Sequence, residues 1–365
     1  MYDLDNLDSM EKMLVHKAYA HRVPINGSLE LLPLCNMNCD MCYVRLSKEE
    51  MKEKGRLRTK EEWIALAKQM KDAGVLFLLL TGGEPLLFPQ FKELYKELQN
   101  MGMILTINSN GTLINEEWAD FFAEHKPRRM NITLYGADDK AYEQLCHYKG
   151  GFEKTIQAIR LLRDRGIDVK INGSITIKNE EDIKKIIDLS KELDAAVNLD
   201  TYMYPAIRER KKPFDKQSRM LPEEAAKAKS LIFRYQWGEE TFEKYRNYVI
   251  DAVKNYKIGM YDRHISCLAG NCSFTINWQG RMRPCVMQNE PEVDVFTEGF
   301  LAGWSKITAL TDDILINEAC VSCNYRPICN TCAAAALLET GDYEGIPEYI
   351  CEYTKSFYKI MKEGR

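Results

Sequence analysis

Between residues 28 and 205, apolar strand candidates alternate with amphipathic helix candidates, and this repeat restricts the fold more than any other feature of the chain. The strand candidates are 28–34, 75–80, 103–108, 130–134, 169–177 and 196–202. The helices between them, with apolar residues at three- and four-residue spacing, fall near 59–73, 90–101, 115–124, 151–166 and 180–193. A strand–helix–strand alternation implies right-handed crossovers and a parallel sheet, so the class is α/β. If such a sheet closes toward a barrel, its site belongs at the C-terminal ends of the strands.

The first strand candidate runs into Cys35-x3-Cys39-x2-Cys42, followed directly by Tyr43. Iron–sulfur clusters are normally held by four thiolates, and three from one short loop would leave one iron open for a ligand. A zinc element or a disulfide fragment is the plainer reading of three close cysteines. The second strand candidate runs into Thr81-Gly82-Gly83-Glu84-Pro85. Here glycines let the backbone pass close to a ligand, and Glu84 can accept a charge-assisted bond from an ammonium group. The same residues also suit a helix-initiating turn, with Pro85 near the first helical position. The third and fourth strands end in Asn108-Ser109-Asn110-Gly111-Thr112 and Thr133-Leu134-Tyr135-Gly136, which place small polar groups at strand ends.

Together these motifs resemble the radical S-adenosylmethionine (SAM) superfamily. The resemblance implies that Cys35, Cys39 and Cys42 hold a [4Fe–4S] cluster whose open iron chelates SAM. One electron from the cluster then releases a 5′-deoxyadenosyl radical that abstracts a substrate hydrogen. It also implies a partial (β/α)6 TIM-like barrel, with SAM contacts from Tyr43, Gly82, Gly83, Glu84, Pro85, Ser109, Asn110 and Thr133.

Candidates for substrate chemistry are fewer. Cys146 stands apart from all other cysteines; it reads as a buried small hydrophobe or, by analogy with peptide epimerases of the superfamily, as a hydrogen-atom donor. His147 beside it reads as a loop residue. Alternation along the sixth strand would send Asp200, Tyr202 and Tyr204 to one face, where they would line a cavity or move a proton. The charged stretch 207–220 reads as a solvated basic connector that could rest against an acidic substrate, and helices are expected near 222–235 and 238–255.

Eight further cysteines lie between 267 and 351. Around them, 273–285 reads as a β-hairpin turning at Gln279-Gly280. Gly280 followed by Pro284-Cys285 resembles the SPASM extension of radical SAM enzymes, a small cysteine-rich domain with two auxiliary [4Fe–4S] clusters. By that resemblance Cys267, Cys272, Cys285 and Cys332 hold one cluster, and Cys320, Cys323, Cys329 and Cys351 the other, making three clusters in all. The final pair departs from the usual spacing, with two residues rather than three before Cys332. Cys320-x2-Cys323 with Cys329-x2-Cys332 is also a four-thiolate zinc pattern. The implied organisation is an extension over 1–27, a radical SAM barrel over 28–205, a helical connector over 206–265, and a SPASM domain with a C-terminal helix over 266–365.

Composition narrows the function. Fifty basic against 54 acidic residues give a net charge of -4, no electrostatic case for a nucleic-acid or membrane partner. The acidic N-terminus is no signal peptide, and no run approaches the ~18 apolar residues of a membrane span, so a cytoplasmic enzyme with reduced thiolates is expected. The leading expectation is radical modification of a ribosomally made peptide: a thioether or carbon–carbon crosslink, oxidation or epimerisation. Val286 after Cys285 disfavours sulfatase maturation, whose enzymes carry Asp there. With only 34 residues before Cys35, a separate leader-recognition protein or leader-free binding is expected. The implied electron donor is a flavodoxin or ferredoxin. The alternatives are oxidation or decarboxylation of a small metabolite in cofactor or tetrapyrrole synthesis, and a zinc-binding interaction protein without SAM chemistry.

Overall fold

The computed structural model describes residues 9–206, 208–210, 212, 214–265 and 267–364. In chain order the first elements are α1 (Ser9–Ala20), β1 (Asn26–Glu30), α2 (Lys48–Lys54), α3 (Lys60–Asp72), β2 (Phe77–Thr81), α4 (Phe91–Asn100) and β3 (Ile104–Ser109). There follow α5 (Glu116–Glu124), β4 (Arg129–Thr133), α6 (Asp139–Cys146), α7 (Gly151–Asp164), β5 (Val169–Ser174), α8 (Ile183–Glu192), β6 (Ala196–Asp200) and α9 (Pro222–Lys254). The remainder comprises β7 (Ser273–Ile276), β8 (Arg281–Arg283), β9 (Val293–Asp294), α10 (Val295–Glu298), α11 (Phe300–Asp312), α12 (Glu318–Val321), α13 (Ala333–Thr340) and α14 (Glu348–Glu363).

The six expected strands and the helices between them are present, with ends shifted by a few residues. The fifth and sixth strands are shorter than their apolar patterns suggested, stopping at Ser174 and Asp200. The alternation expected to carry Asp200, Tyr202 and Tyr204 on one face therefore ends at its first member. The two helices expected near 222–255 form one run broken at Gly238, whose φ of 76° is left-handed. A residue with a Cβ is strained in that conformation, so the chain turns there.

Two compact units interleave along the chain. The first contains the described residues up to Leu34, with Ser47–Ile107 and Ile265–Ile314. Within it β2 pairs in parallel with both β3 and β1, in register Phe77↔Ile104 and Asn26↔Phe77. On the other side of β1 comes a strand from far along the sequence: β7 pairs with it in parallel, Asn26↔Ser273 through Leu29↔Ile276. The expected hairpin is there, β7 antiparallel to β8 with Thr275↔Arg283, and β8 antiparallel to β9. The hairpin thus extends the sheet begun at the N-terminus. Gly27 makes the β1–β7 contact, because any Cβ there would collide with the Phe274 ring. Capping boxes at Ser47 and Thr59 start α2 and α3. The buried face of α3 is Trp63, Leu66, Ala67 and Met70; a large apolar side chain of this kind contributes about 1.5–3 kcal/mol on burial.

The second unit contains Cys35–Leu46, Asn108–His264 and the described residues from Leu315 onward. Its strands β4, β5 and β6 are parallel, in registers Met130↔Val169 and Lys170↔Ala196. Gly173 on β5 has its Cα against Leu199 and the Leu134 carbonyl, where a side chain has no room. The C-terminal helix α14 lies along α9, burying Ile350, Tyr353, Phe357 and Met361. Among the described residues no helix is long and apolar enough to cross a membrane.

Candidate metal centres and cofactor site

Residues 35–43 are a loop with almost no secondary structure, so its shape has to come from the groups around it. Asn110, just beyond the end of β3, supplies one. Its amide Nδ2 donates to Asn36 Oδ1 at 2.9 Å and to Cys35 Sγ at 3.6 Å, while its Oδ1 accepts from the Thr112 amide and hydroxyl at 2.9 and 2.7 Å. Asn36 Nδ2 closes the ring by donating to Thr112 Oγ1 at 2.8 Å. The Asn-Ser-Asn-Gly-Thr motif therefore holds the first cysteine from within the same unit. Ser109 Oγ accepts from the Gly111 amide at 3.0 Å.

Backbone amides point at the sulfurs, Met37 N donating to Cys35 Sγ at 3.4 Å and Arg45 N to Cys42 Sγ at 3.2 Å. Hydrogen bonds from Cys146 and Tyr135, opposed by burial, hold the Cys39 thiol below its ordinary range. Burial and the charge of Cys39 push Cys42 up. Burial, with Cys39, Cys146 and Cys35 nearby, pushes the Tyr135 phenol well above its usual value. No disulfide joins any of the described cysteines. Sulfurs outside any disulfide, with hydrogen-bond donors aimed at them on a loop offering three, fit a [4Fe–4S] group with one iron left for another ligand.

Cys146 ends α6 and is completely buried, with its side chain against Cys39. His147 caps α6 in the left-handed conformation, and its Nε2 meets Asp40 Oδ1 at 2.8 Å. Tyr43 carries the Arg208 guanidinium 5.1 Å above its ring. Its carbonyl accepts from the Arg210 amide at 3.2 Å, and Arg210 Nη1 donates to the Cys39 carbonyl at 3.3 Å. The expectation of a solvated connector is corrected here, since Arg208 is only 7% exposed and the segment packs on the cysteine loop. Ile207, Lys211 and Pro213 of that connector lie outside the described residues. Thr133 is the last residue of β4, paired with Asn172.

The glycine-rich turn belongs to the first unit. Its glycines are required by close backbone approach: a Cβ on Gly82, at φ 142°, would stand 2.5 Å from the Leu32 carbonyl oxygen, and one on Gly83 would overlap the Leu34 carbonyl. The Gly83 and Glu84 amides donate to those two carbonyls at 2.7 and 2.9 Å. Glu84 is fully buried and caps a single 3-10 turn, Pro85–Leu87, accepting from the Leu86 amide at 3.2 Å. The turn-initiating geometry is present, and the close approach that the glycines permit in this structure is to the chain's own Leu32 and Leu34 carbonyls.

Tyr202 and Tyr204 lie past β6 in an aromatic pair, ring centroids 4.6 Å apart. Tyr202 donates to Glu339 Oε1 at 2.6 Å, and Arg219 Nη2 reaches the same oxygen at 2.5 Å. The Arg219 and Glu339 side chains are only 6% and 7% exposed, and the guanidinium sits 3.4 Å from the Tyr349 ring centre. Burial and the Glu339 charge push Tyr202 far above the ordinary phenol range, so it donates a hydrogen bond and holds its proton. Asp200, the end of β6, is exposed. Arg219 and Glu339 escaped sequence reasoning, because nothing in local spacing links positions 120 residues apart.

The C-terminal cysteines sort themselves by unit. In the first, burial and then Cys285 raise Cys267, and burial and then Cys267 push Cys272 up to about 11. Cys285 Sγ accepts from the Met287 amide at 3.4 Å. In the second, burial, then Cys329, Cys320 and Cys323, push Cys351 up to about 11. Thr354 Oγ1 donates to Cys329 Sγ at 3.5 Å. Cys332 caps α13, its sulfur accepting from the Ala335 amide at 3.4 Å. Among the described residues, no three His, Cys, Asp or Glu side chains converge tightly enough for a single metal ion.

Residues 29–190 match the model of the radical SAM superfamily. The chain carries a radical SAM domain. It is similar to an AdoMet-dependent heme synthase of Methanosarcina barkeri, 26% identical over 86% of this chain and 92% of the relative. It also resembles the antilisterial bacteriocin subtilosin biosynthesis protein AlbA of Bacillus subtilis, 25% identical over 73% of this chain and 55% of AlbA. Streptococcus suis SuiB bound to precursor peptide SuiA shares the fold, with a TM-score of 0.67 at 19% identity over 93% of this chain and 79% of SuiB. The expected α/β class is present, and residues 29–190 carry the radical SAM domain.

Proposed function

We infer that this radical SAM enzyme modifies a ribosomally made peptide. The observation that carries the reading is the occurrence, in one unit, of the Cys35–Cys39–Cys42 loop and of a second set, Cys320, Cys323, Cys329 and Cys351. Likeness to AlbA and to the peptide-bound SuiB fold supports a peptide as the substrate.

Cys35, Cys39 and Cys42 would hold the cluster that binds SAM, with Asn110 orienting Cys35 and the Cys39 sulfur receiving its hydrogen bonds from Cys146 and Tyr135. When bound, the cluster and SAM supply a 5′-deoxyadenosyl radical for hydrogen abstraction. Cys320, Cys323, Cys329 and Cys351 would hold an auxiliary cluster, and Cys267, Cys272 and Cys285 a further one, with Cys332 the assigned fourth ligand. Glu84, buried in its turn, would meet the SAM ammonium. Tyr43, Ser109 and Thr133 complete the assigned cofactor contacts. A low-potential donor such as a flavodoxin or ferredoxin would deliver the electron.

A second reading, radical oxidation or decarboxylation of a tetrapyrrole, is favoured by the heme synthase relative, which matches over most of both chains. One experiment separates the two. Anaerobically reconstituted protein is given SAM, a reductant and either precursor peptides encoded beside its gene or a propionate-bearing tetrapyrrole, and products are read by mass spectrometry. Loss of two hydrogens from a peptide supports the first reading; loss of carbon dioxide together with two hydrogens from a propionate of the tetrapyrrole, with peptides untouched, replaces it by the second.

A further inference from the structure

Within the cysteine loop, Asp40 is the residue whose contacts the assigned chemistry does not use. Its side chain is almost entirely buried, and it brings a carboxylate rather than a sulfur to the loop. Three segments distant in sequence converge on its two oxygens. Lys178 Nζ, from the turn after β5, donates to Oδ2 at 2.6 Å. Ser218 Oγ, at the end of the connector, donates to the same oxygen at 2.8 Å. His147 Nε2 meets Oδ1 at 2.8 Å.

The backbone repeats the attachment. The Asp40 amide donates to the Leu145 carbonyl and the Asn38 amide to the Cys146 carbonyl, both at 2.9 Å, so the end of α6 is the surface on which the loop lies. Lys178 Nζ also donates to the Gln144 carbonyl at 2.8 Å, fastening the same helix end. Ser218 takes a left-handed φ of 60°. A non-glycine residue holds that conformation only where its surroundings compensate, and the bond to Asp40 is one such compensation.

We propose that Asp40 is a positioning residue: its carboxylate clamps the loop to α6, the post-β5 turn and the connector, so that Cys35, Cys39 and Cys42 are presented as a set before any cluster is bound. The proposal rests on the assignment of those cysteines to the SAM-binding cluster.

The test uses the full chain, with Asp40→Ala, Asp40→Asn, Ser218→Ala and a Cys35→Ala/Cys39→Ala/Cys42→Ala control. In metal-free protein, hydrogen–deuterium exchange of residues 36–46 should speed up roughly tenfold or more in Asp40→Ala, an opening of the loop alone. Ser218→Ala should be smaller in effect, and exchange in β4–β6 unchanged. After reconstitution, Asp40→Ala should lose about four irons per chain, one cubane. Asp40→Asn, which keeps an acceptor, should retain part of that iron. Unchanged loop exchange together with full iron in Asp40→Ala overturns the clamp, as does faster exchange spread evenly through the unit, which would mark a general structural role. If instead the triple-cysteine control keeps SAM cleavage, it is the underlying cluster assignment that fails.

Discussion

The cysteine loop at 35–42 and the cysteines at 267–351 hold sulfur in opposite ways. In the loop, three sulfurs lie within eight residues of chain, inside a single unit, and the order around them comes from side chains that reach in: Asn110 to Cys35, Lys178 and Ser218 to Asp40. The C-terminal cysteines are spread along 85 residues and divided between the units, three in the first and five in the second. Two of those in the second unit sit on helices, Cys320 on α12 and Cys351 on α14, and so depend on whatever holds those helices. A compact motif carries its chemistry locally, whereas a dispersed one inherits it from packing.

The largest expected effect separates the two regions outright. Replacing Cys35, Cys39 and Cys42 with Ala should abolish 5′-deoxyadenosine formation and remove about four irons, leaving the remaining iron in place. Parallel loss of all iron would break the division. Next, Cys320→Ala with Cys351→Ala should remove a similar amount of iron while SAM is still cleaved in the presence of reductant, and product formation on the substrate should fall; iron analysis and chromatography of deoxyadenosine read both.

The dependence on packing is sharpened by Glu339→Ala. This leaves Arg219 buried without its carboxylate, between α13, which begins after Cys332, and Tyr349, two residues before Cys351. A cost of about 3–5 kcal/mol is expected in denaturant unfolding. Iron at the C-terminal sites should be lost before iron at the loop as denaturant rises, and the reverse order would contradict the account.

The smallest effect is a control in neither region. Glu62 closes the capping box of α3 and pairs with Arg56 and Arg58. The Arg56 hydrogen bond, opposed by burial, lowers its carboxyl to about 2 from 4.5. Because the folded value lies below the unfolded one, its contribution is complete above pH 4.5 and disappears as the pH falls toward 2. Glu62→Gln should therefore cost about 1 kcal/mol at neutral pH, a figure reduced for partial exposure, and nothing near the folded value. Unfolding curves at the two pH values check it, and iron content should not change.

Much of this is legible in the amino-acid sequence. The strand–helix alternation names the parallel α/β class because periods of two and 3.6 residues are visible in a single chain. CxxxCxxC with Gly-Gly-Glu-Pro points to the cofactor chemistry through its resemblance to the radical SAM superfamily, a likeness that is visible because each motif gathers its groups from neighbours in sequence. Strand ends are less legible: 196–202 stays apolar and aromatic past the point where β6 stops, since Tyr202 turns from the ladder to Glu339. The connector's charges suggest solvent, yet Arg208 stacks on Tyr43 and Arg219 is buried on a carboxylate. Composition cannot distinguish a solvated cation from one whose partner lies elsewhere in the chain.

Short-range pattern was thus sufficient for the fold class, the radical SAM domain and the three cysteines of its loop. Tertiary structure alone decided that β7 would lie beside β1 and that Asp40 would be clamped by Lys178, His147 and Ser218. The reason is one of range. Periodicity and motif spacing record contacts within a few turns of chain, while pairing between segments far apart in sequence leaves no local trace and is settled by which buried polar and apolar surfaces find partners when the chain closes.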